Sequence, residues 1–130
     1  MKPLVSKKVL VVDDSPIVRE RLVSLLLEVP GVEIAGQADR AAQAIEAIKT
    51  LRPSVVVLDI SMPGGSGLVV LQALQDIKPS PLIIVLTNFS HEAYRTKCLQ
   101  LGADYFFDKS TEFEEVKYIL ERLPQPVEVA

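Results

Sequence analysis

An α/β domain, with a single doubly wound parallel sheet of five strands and five helices spread over both its faces, is what this sequence predicts. Three observations carry that expectation. The runs Val9–Val12, Val55–Leu58 and Leu82–Leu86 are continuously apolar and rich in β-branched residues, as strands buried on both faces are. Between the strand-like runs, apolar residues recur three and four apart, the helical spacing. Each of these runs also stops on a residue with chemistry to offer: Asp13 and Asp14, then Asp59, then Thr87.

The elements follow in order. The first strand runs from Lys8 to the acidic pair Asp13-Asp14. Ser15 is a helix cap and Pro16 suits the first helical position, so a helix starts there. Ile17, Val18, Leu22, Leu25, Leu26 and Val29 give it one apolar face as far as Pro30-Gly31. Val32 to Ala38 reads as a short strand. Asp39 is positioned to cap a second helix carrying Ala41, Ala44, Ile45, Ile48 and Leu51, which stops before Pro53. The strand to Asp59 comes next, and beyond it the loop Met62-Pro63-Gly64-Gly65-Ser66-Gly67. Leu68, Leu71, Leu74 and Ile77 mark a third helix, closed by Lys78-Pro79.

After the strand ending at Thr87, Ser90 is expected to cap a helix with Tyr94, Cys98 and Leu101 on one side and Gly102 at its end. Asp104 to Lys109 is an aromatic strand ending on a cation. Thr111 and Glu114 have capping-box spacing, and Phe113, Val116, Leu120 and Leu123 make the last helical face before Pro124. One domain over residues 1–124 and a tail over 125–130 is the expected organisation.

Composition narrows the function classes. Of 130 residues, 48% are hydrophobic, enough for one ordinary core. Fourteen basic and 17 acidic side chains leave a net charge of −3, the wrong sign for binding nucleic acid by phosphate neutralisation. The single cysteine, Cys98, rules out an internal disulfide framework. Met1-Lys2-Pro3 opens no signal-peptide core, and no apolar run approaches a membrane span, so a soluble, cytoplasmic protein is expected.

Parallel strands point their carboxyl ends one way, so Asp13, Asp14, Asp59, Thr87 and Lys109 are expected at one sheet edge, where such folds place ligands. Three carboxylates held together repel and need a compensating cation. Mg²⁺ takes oxygen ligands, keeps several waters, and is typically held by one or two carboxylates plus a phosphate oxygen. Thr87 and Lys109 would supply donors to a phosphoryl group bound there. Nucleophile, magnesium, hydroxyl and ammonium together describe a phosphoryl-transfer site.

Those residues resemble the receiver domain of two-component response regulators over nearly the whole chain, from Lys7 to about Leu123. The resemblance is carried by the acidic pair, by Asp59, Met62, Pro63 and Gly67 in the pattern Asp-x-x-Met-Pro-x-x-x-Gly, by Thr87, and by Leu101-Gly102-Ala103-Asp104 ahead of Lys109. It implies the flavodoxin-like strand order 2-1-3-4-5. It implies that Asp59 is the phosphoacceptor, that Asp13, Asp14, Asp59 and the carbonyl of Ser61 hold Mg²⁺, and that Thr87 and Lys109 bind the phosphoryl. Phe106 matches the aromatic switch position, which together with Thr87 predicts a ring that turns from exposed to buried on phosphorylation.

The same resemblance implies a histidine kinase or histidine phosphotransfer protein as donor. It also implies a downstream protein or an output domain outside this chain, and a homodimer through the fourth helix, fifth strand and fifth helix as one mode of association. The family usually has Pro after the lysine, commonly in a cis bond. Ser110 stands there, and since a cis bond without Pro costs about 3 kcal/mol, a trans bond is expected.

Two rival functions share parts of this site. A phosphatase of the haloacid-dehalogenase type also uses a strand-end Asp, Mg²⁺, a Thr or Ser and a Lys, but needs a second Asp two residues on, where this chain has Ser61. A phosphorylation-independent scaffold would not need the full set of side chains. Singly, each residue has a plainer reading: Asp13 or Asp14 as a helix cap, Lys109 as a carboxylate's partner, Phe106 as core. His91, the only histidine, reads as a solvated residue at a helix start.

Overall fold

A computed structural model describes residues 7–62, 67–88 and 91–123. The chain alternates β1 (Lys7–Val12), α1 (Pro16–Leu26), β2 (Val32–Ala38), α2 (Ala41–Leu51), β3 (Val55–Leu58), α3 (Gly67–Leu74), β4 (Leu82–Thr87), α4 (Glu92–Gln100), β5 (Tyr105–Asp108) and α5 (Glu115–Arg122). The strands form one sheet in the order β2-β1-β3-β4-β5, every pair parallel, as the alternation required.

Because strand side chains alternate between faces, the unbroken apolar runs feed two cores at once. Leu10, Val12, Val56, Leu58, Ile83, Val85 and Phe106 face α2, α3 and Cys98 of α4. Val9, Val11, Val55, Val57, Ile84 and Leu86 face Leu22 and Leu26 of α1 and Val116, Ile119 and Leu120 of α5. The register sets Val12 beside Leu58 and Thr87 beside Asp108, so the residues following β1, β3, β4 and β5 emerge along one edge.

Local capping departs from the sequence pattern in several places. Ser15 does cap α1, its hydroxyl accepting from the Val18 N–H at 3.3 Å. Ile17, expected on the apolar face, is 78% exposed. At about 100° per residue it lies roughly 140° around the helix from Leu22, which faces the core. The helix also stops at Leu26, before Pro30-Gly31, although Val29 is still buried. Arg40 rather than Asp39 holds the cap position of α2, and the Asp39 N–H bonds instead to Gln43 Oε1 at 2.9 Å.

Ser90 lies outside the described residues, and His91 occupies the α4 cap position without a side-chain bond. Tyr94 is 39% exposed, leaving Cys98 as the fully buried residue of that helix. The capping box at Thr111–Glu114 does not form, because α5 starts only at Glu115 and Glu112 bonds back to Asp108 instead. The burial of Lys7 has no signal in the sequence pattern. This residue is 5% exposed, and its Nζ donates to the Leu120 carbonyl at 2.7 Å, tying the last turn of α5 to the foot of β1.

Gly67 shows why the loop after Asp59 ends in glycine. Its N–H donates to the Ile60 carbonyl at 2.9 Å, and an added Cβ would stand 2.5 Å from the Asp59 carbonyl oxygen and 2.7 Å from Ile60 Cα. Both obstacles are backbone, so the strand end itself would have to move. Gly67→Ala is expected to lower the unfolding free energy by about 3 kcal/mol, the upper end of the overpacking range. A urea midpoint equal to the unsubstituted protein's would contradict this.

Candidate functional site

Asp13 and Asp59 both stand one residue beyond a buried central strand, and both are buried, with 1% and 2% exposure. Adjacent strand ends are stitched together there, the Asp59 N–H donating to the Val12 carbonyl at 2.9 Å. Each carboxylate then folds back on its own chain. Asp13 Oδ1 accepts the Ser15 N–H at 2.9 Å, while Asp59 Oδ1 accepts the Ser61 N–H at 3.0 Å and the Ser61 hydroxyl at 3.1 Å. That leaves Oδ2 of both acids turned to a common partner. Lys109 Nζ donates to Asp13 Oδ2 at 2.7 Å and to Asp59 Oδ2 at 3.0 Å.

Lys109 is held from behind as well, its N–H donating to the Thr87 carbonyl at 2.9 Å. Thr87 is fully buried at the end of β4. Three strand ends far apart in sequence thus share one ammonium and two acids, with a hydroxyl-bearing residue beside them. Asp14 stays exposed, yet Asp13, Asp14 and Asp59 each offer an oxygen within 4.8 Å of the others. Carboxylate oxygens in that number and spacing could hold a metal ion, and their hardness suits a divalent cation of the Mg²⁺ type.

The electrostatics follow from burial and pairing. Burial raises the Asp13 pKa, and the hydrogen bonds from Lys109 and Ser15 only partly oppose it. For Lys109, desolvation acts downward, but the bond to Asp13 and the charges of Asp59 and Asp13 outweigh it and leave the ammonium harder to deprotonate than usual.

Two residues at this site carry no signal in the sequence. Arg19 of α1 donates from Nη1 to the Asp13 carbonyl at 2.7 Å and from Nε to Gln37 Oε1 at 3.2 Å, fixing the backbone under the first acid. Arg95 of α4 donates to the Phe106 carbonyl at 3.3 Å, with its guanidinium 5.9 Å from the ring centroid. Phe106 itself is 4% exposed, so its ring is turned inward, not outward as expected before phosphorylation. The Lys109–Ser110 bond is trans, since Lys78–Pro79 is the one cis peptide among the described residues.

At the opposite edge of the sheet, a groove of ≈ 570 Å³ lies between the ends of α3 and α4 and the starts of β4 and β5. It brings together no comparable set of reactive side chains, with Lys78 and Asp104 its charged lining residues. No helix among the described residues is long and apolar enough to cross a membrane.

Comparison with known proteins agrees with this geometry. A family model described as "Response regulator receiver domain" matches residues 9–121. Protein-glutamate methylesterase/protein-glutamine glutaminase 2 of Vibrio vulnificus is 44% identical over 101 residues, which are 76% of this chain and 29% of that protein. Response regulator GacA of Pseudomonas aeruginosa is 33% identical over 109 residues, 84% of this chain and 51% of that protein. The chain therefore spans about half or less of these curated relatives. Among solved structures, the signal receiver domain of the response regulator NarL from Mycobacterium tuberculosis superposes with a TM-score of 0.80 at 35% identity, covering 89% of this chain and 94% of that one.

Proposed function

The chain belongs to the response regulator receiver domain family, and from that premise we propose that Asp59 is its phosphoacceptor. The observation that carries the residue assignment is the shared ammonium: Lys109 Nζ lies within 3.0 Å of carboxylate oxygens delivered by two different strands. Such a cation both restrains the acids and waits where a phosphoryl oxygen would arrive. Asp59 Oδ2 attacks phosphorus in a phosphohistidine or acyl phosphate. The new O–P bond forms as the P–N or P–O bond to the donor breaks; a phosphohistidine's imidazole takes up a proton from water as it leaves, and an acyl phosphate's carboxylate leaves as the anion. Lys109 then exchanges its contact with Asp59 for one with a phosphoryl oxygen, and the Thr87 hydroxyl takes another.

Asp13, Asp14, Asp59 and the Ser61 carbonyl would hold Mg²⁺, which when bound offsets the negative charge of acids and phosphoryl group together. Ser61, where a haloacid-dehalogenase phosphatase would need its second Asp, instead donates to Asp59, so that reading is not favoured. Phosphorylation adds roughly one unit or more of negative charge beside Thr87. Drawing Thr87 toward it changes the space next to Phe106, and with it the α4–β5–α5 surface on which Tyr94, Tyr105 and Tyr118 are exposed.

That surface is where a second copy, a downstream protein or an output domain would read the state in the cytoplasm, with a histidine kinase or histidine phosphotransfer protein as donor. The methylesterase activity named for one relative is not assigned to this stretch; its own chemistry is limited to gaining and losing the phosphoryl group. Acetyl phosphate with Mg²⁺ is expected to label the protein on Asp59 alone, as read by peptide mapping. Labelling elsewhere, or none, would overturn the proposal.

A further inference from the structure

The residues flanking Lys109 are joined by hydrogen bonds that converge on Asp108. Asp108 Oδ1 accepts both the Ser110 N–H, at 2.8 Å, and the Ser110 hydroxyl. Glu112 Oε1 accepts the Asp108 N–H at 3.0 Å, and the Glu112 N–H returns to the Asp108 carbonyl at 2.8 Å. With the Lys109 N–H on Thr87, the backbone before, at and after the lysine is fixed at every step. A lysine side chain is long and rotamer-rich, so where its ammonium dwells depends on how firmly its backbone is aimed.

We infer that Asp108 and Glu112 are positioning residues for Lys109: the hydrogen-bond ring that Asp108 closes with Glu112, together with its bonds from Ser110, aims the ammonium at Asp13 and Asp59. A proline in this loop would stiffen it by fixing one dihedral and would remove the donor at residue 110. Here that donor is part of the restraint: it reaches across the lysine to the Asp108 side chain, while Glu112 reaches across it to the Asp108 backbone. The alternative role for these acids is simply to ease the chain into α5, in which case losing them would loosen α5 without freeing Lys109. The importance of the ring for phosphoryl transfer rests on the function proposed above, but its effect on Lys109 can be read independently.

Brief labelling of the native protein with an amine-reactive reagent, resolved by residue with mass spectrometry, tests this. Asp108→Ala is expected to speed Lys109 labelling by about 5-fold or more, as the loss of one or more net hydrogen bonds would. Asp108→Asn keeps an Oδ1 acceptor and is expected to stay within about 2-fold of the unsubstituted protein. Buried Lys7 reports folding and should not change. If Asp108→Ala exposes Lys7, Glu112→Ala, which removes only the bond to the Asp108 N–H, replaces it, with the same rise expected at Lys109.

An unchanged Lys109 rate in whichever of the two stays folded, or an Asp108→Asn rate as fast as Asp108→Ala, overturns the inference. Acetyl phosphate uptake forms a second arm, slowed in Asp108→Ala and restored in Asp108→Asn. If the unsubstituted protein takes up no phosphoryl group, the proposed function fails while the labelling result still decides the role of the ring.

Discussion

Asp59→Asn is expected to abolish phosphoryl uptake, to below about a hundredth of the original rate, in a protein that remains folded. Carboxylate and carboxamide differ little in volume, and the amide oxygen can still accept the Ser61 N–H that Asp59 Oδ1 accepts at 3.0 Å. What disappears is the anionic oxygen that must attack phosphorus. Lys109 loses one acceptor but keeps Asp13 Oδ2 at 2.7 Å, so no buried charge is stranded. Stability should therefore shift by no more than about 1 kcal/mol. Retained uptake in a well-folded Asp59→Asn protein would remove Asp59 from the centre of the chemistry.

Lys109→Met carries the largest expected stability cost at this site. Its ammonium is the shared partner of two carboxyl groups whose side chains are 2% exposed, while its own is 12% exposed, so water screens the pair weakly. Removing one member of a buried ion pair typically costs about 3–5 kcal/mol, because the remaining charge has no compensation. Mg²⁺ should recover part of that loss if the acids hold it, so the variant's unfolding midpoint is expected to depend on Mg²⁺ more steeply than the original's.

The pH response should change sign by region. Lys109 has a folded-state pKa above its ordinary 10.5, so its pairing contributes fully below that value and is lost as pH climbs past it. The variant should lack that alkaline loss. Asp13 is raised above 3.8 by burial, which Lys109 and the Ser15 N–H oppose only in part. Without the lysine, Asp13 rises further and its protonated form favours the folded state, so the variant should gain stability as pH falls from neutrality toward that region. Matching Mg²⁺ and pH profiles for the two proteins would show that the ammonium does not govern the acids.

Much of this molecule is legible along the chain because its signals are local. Continuous apolar runs such as Val55–Leu58 announce strands covered on both faces, and Ser15-Pro16 announces a helix start, since each depends on neighbours a few residues away. From those, strand direction and the gathering of Asp13, Asp59, Thr87 and Lys109 at one edge follow by topology alone. Helix entries are less legible, since α2, α4 and α5 start without a side-chain cap bond. At Thr111–Glu114 the expected cap does not form, since α5 begins at Glu115, and the side-chain bond in this turn runs instead from the Asp108 N–H to Glu112.

By itself the sequence determined the fold class, the order of elements and which side chains meet at the sheet edge. Only the tertiary structure decided that Asp13 is buried while its neighbour Asp14 is exposed, that one ammonium serves two acids, and that Gly67 must lack a Cβ because the Asp59 backbone passes 2.5 Å from where it would stand. The reason is range. Periodicity and capping act across one turn of chain, whereas the shared ammonium joins segments fifty or more residues apart in sequence, and burial and the approach of Gly67 to the Asp59 backbone are fixed only once the chain has packed around them.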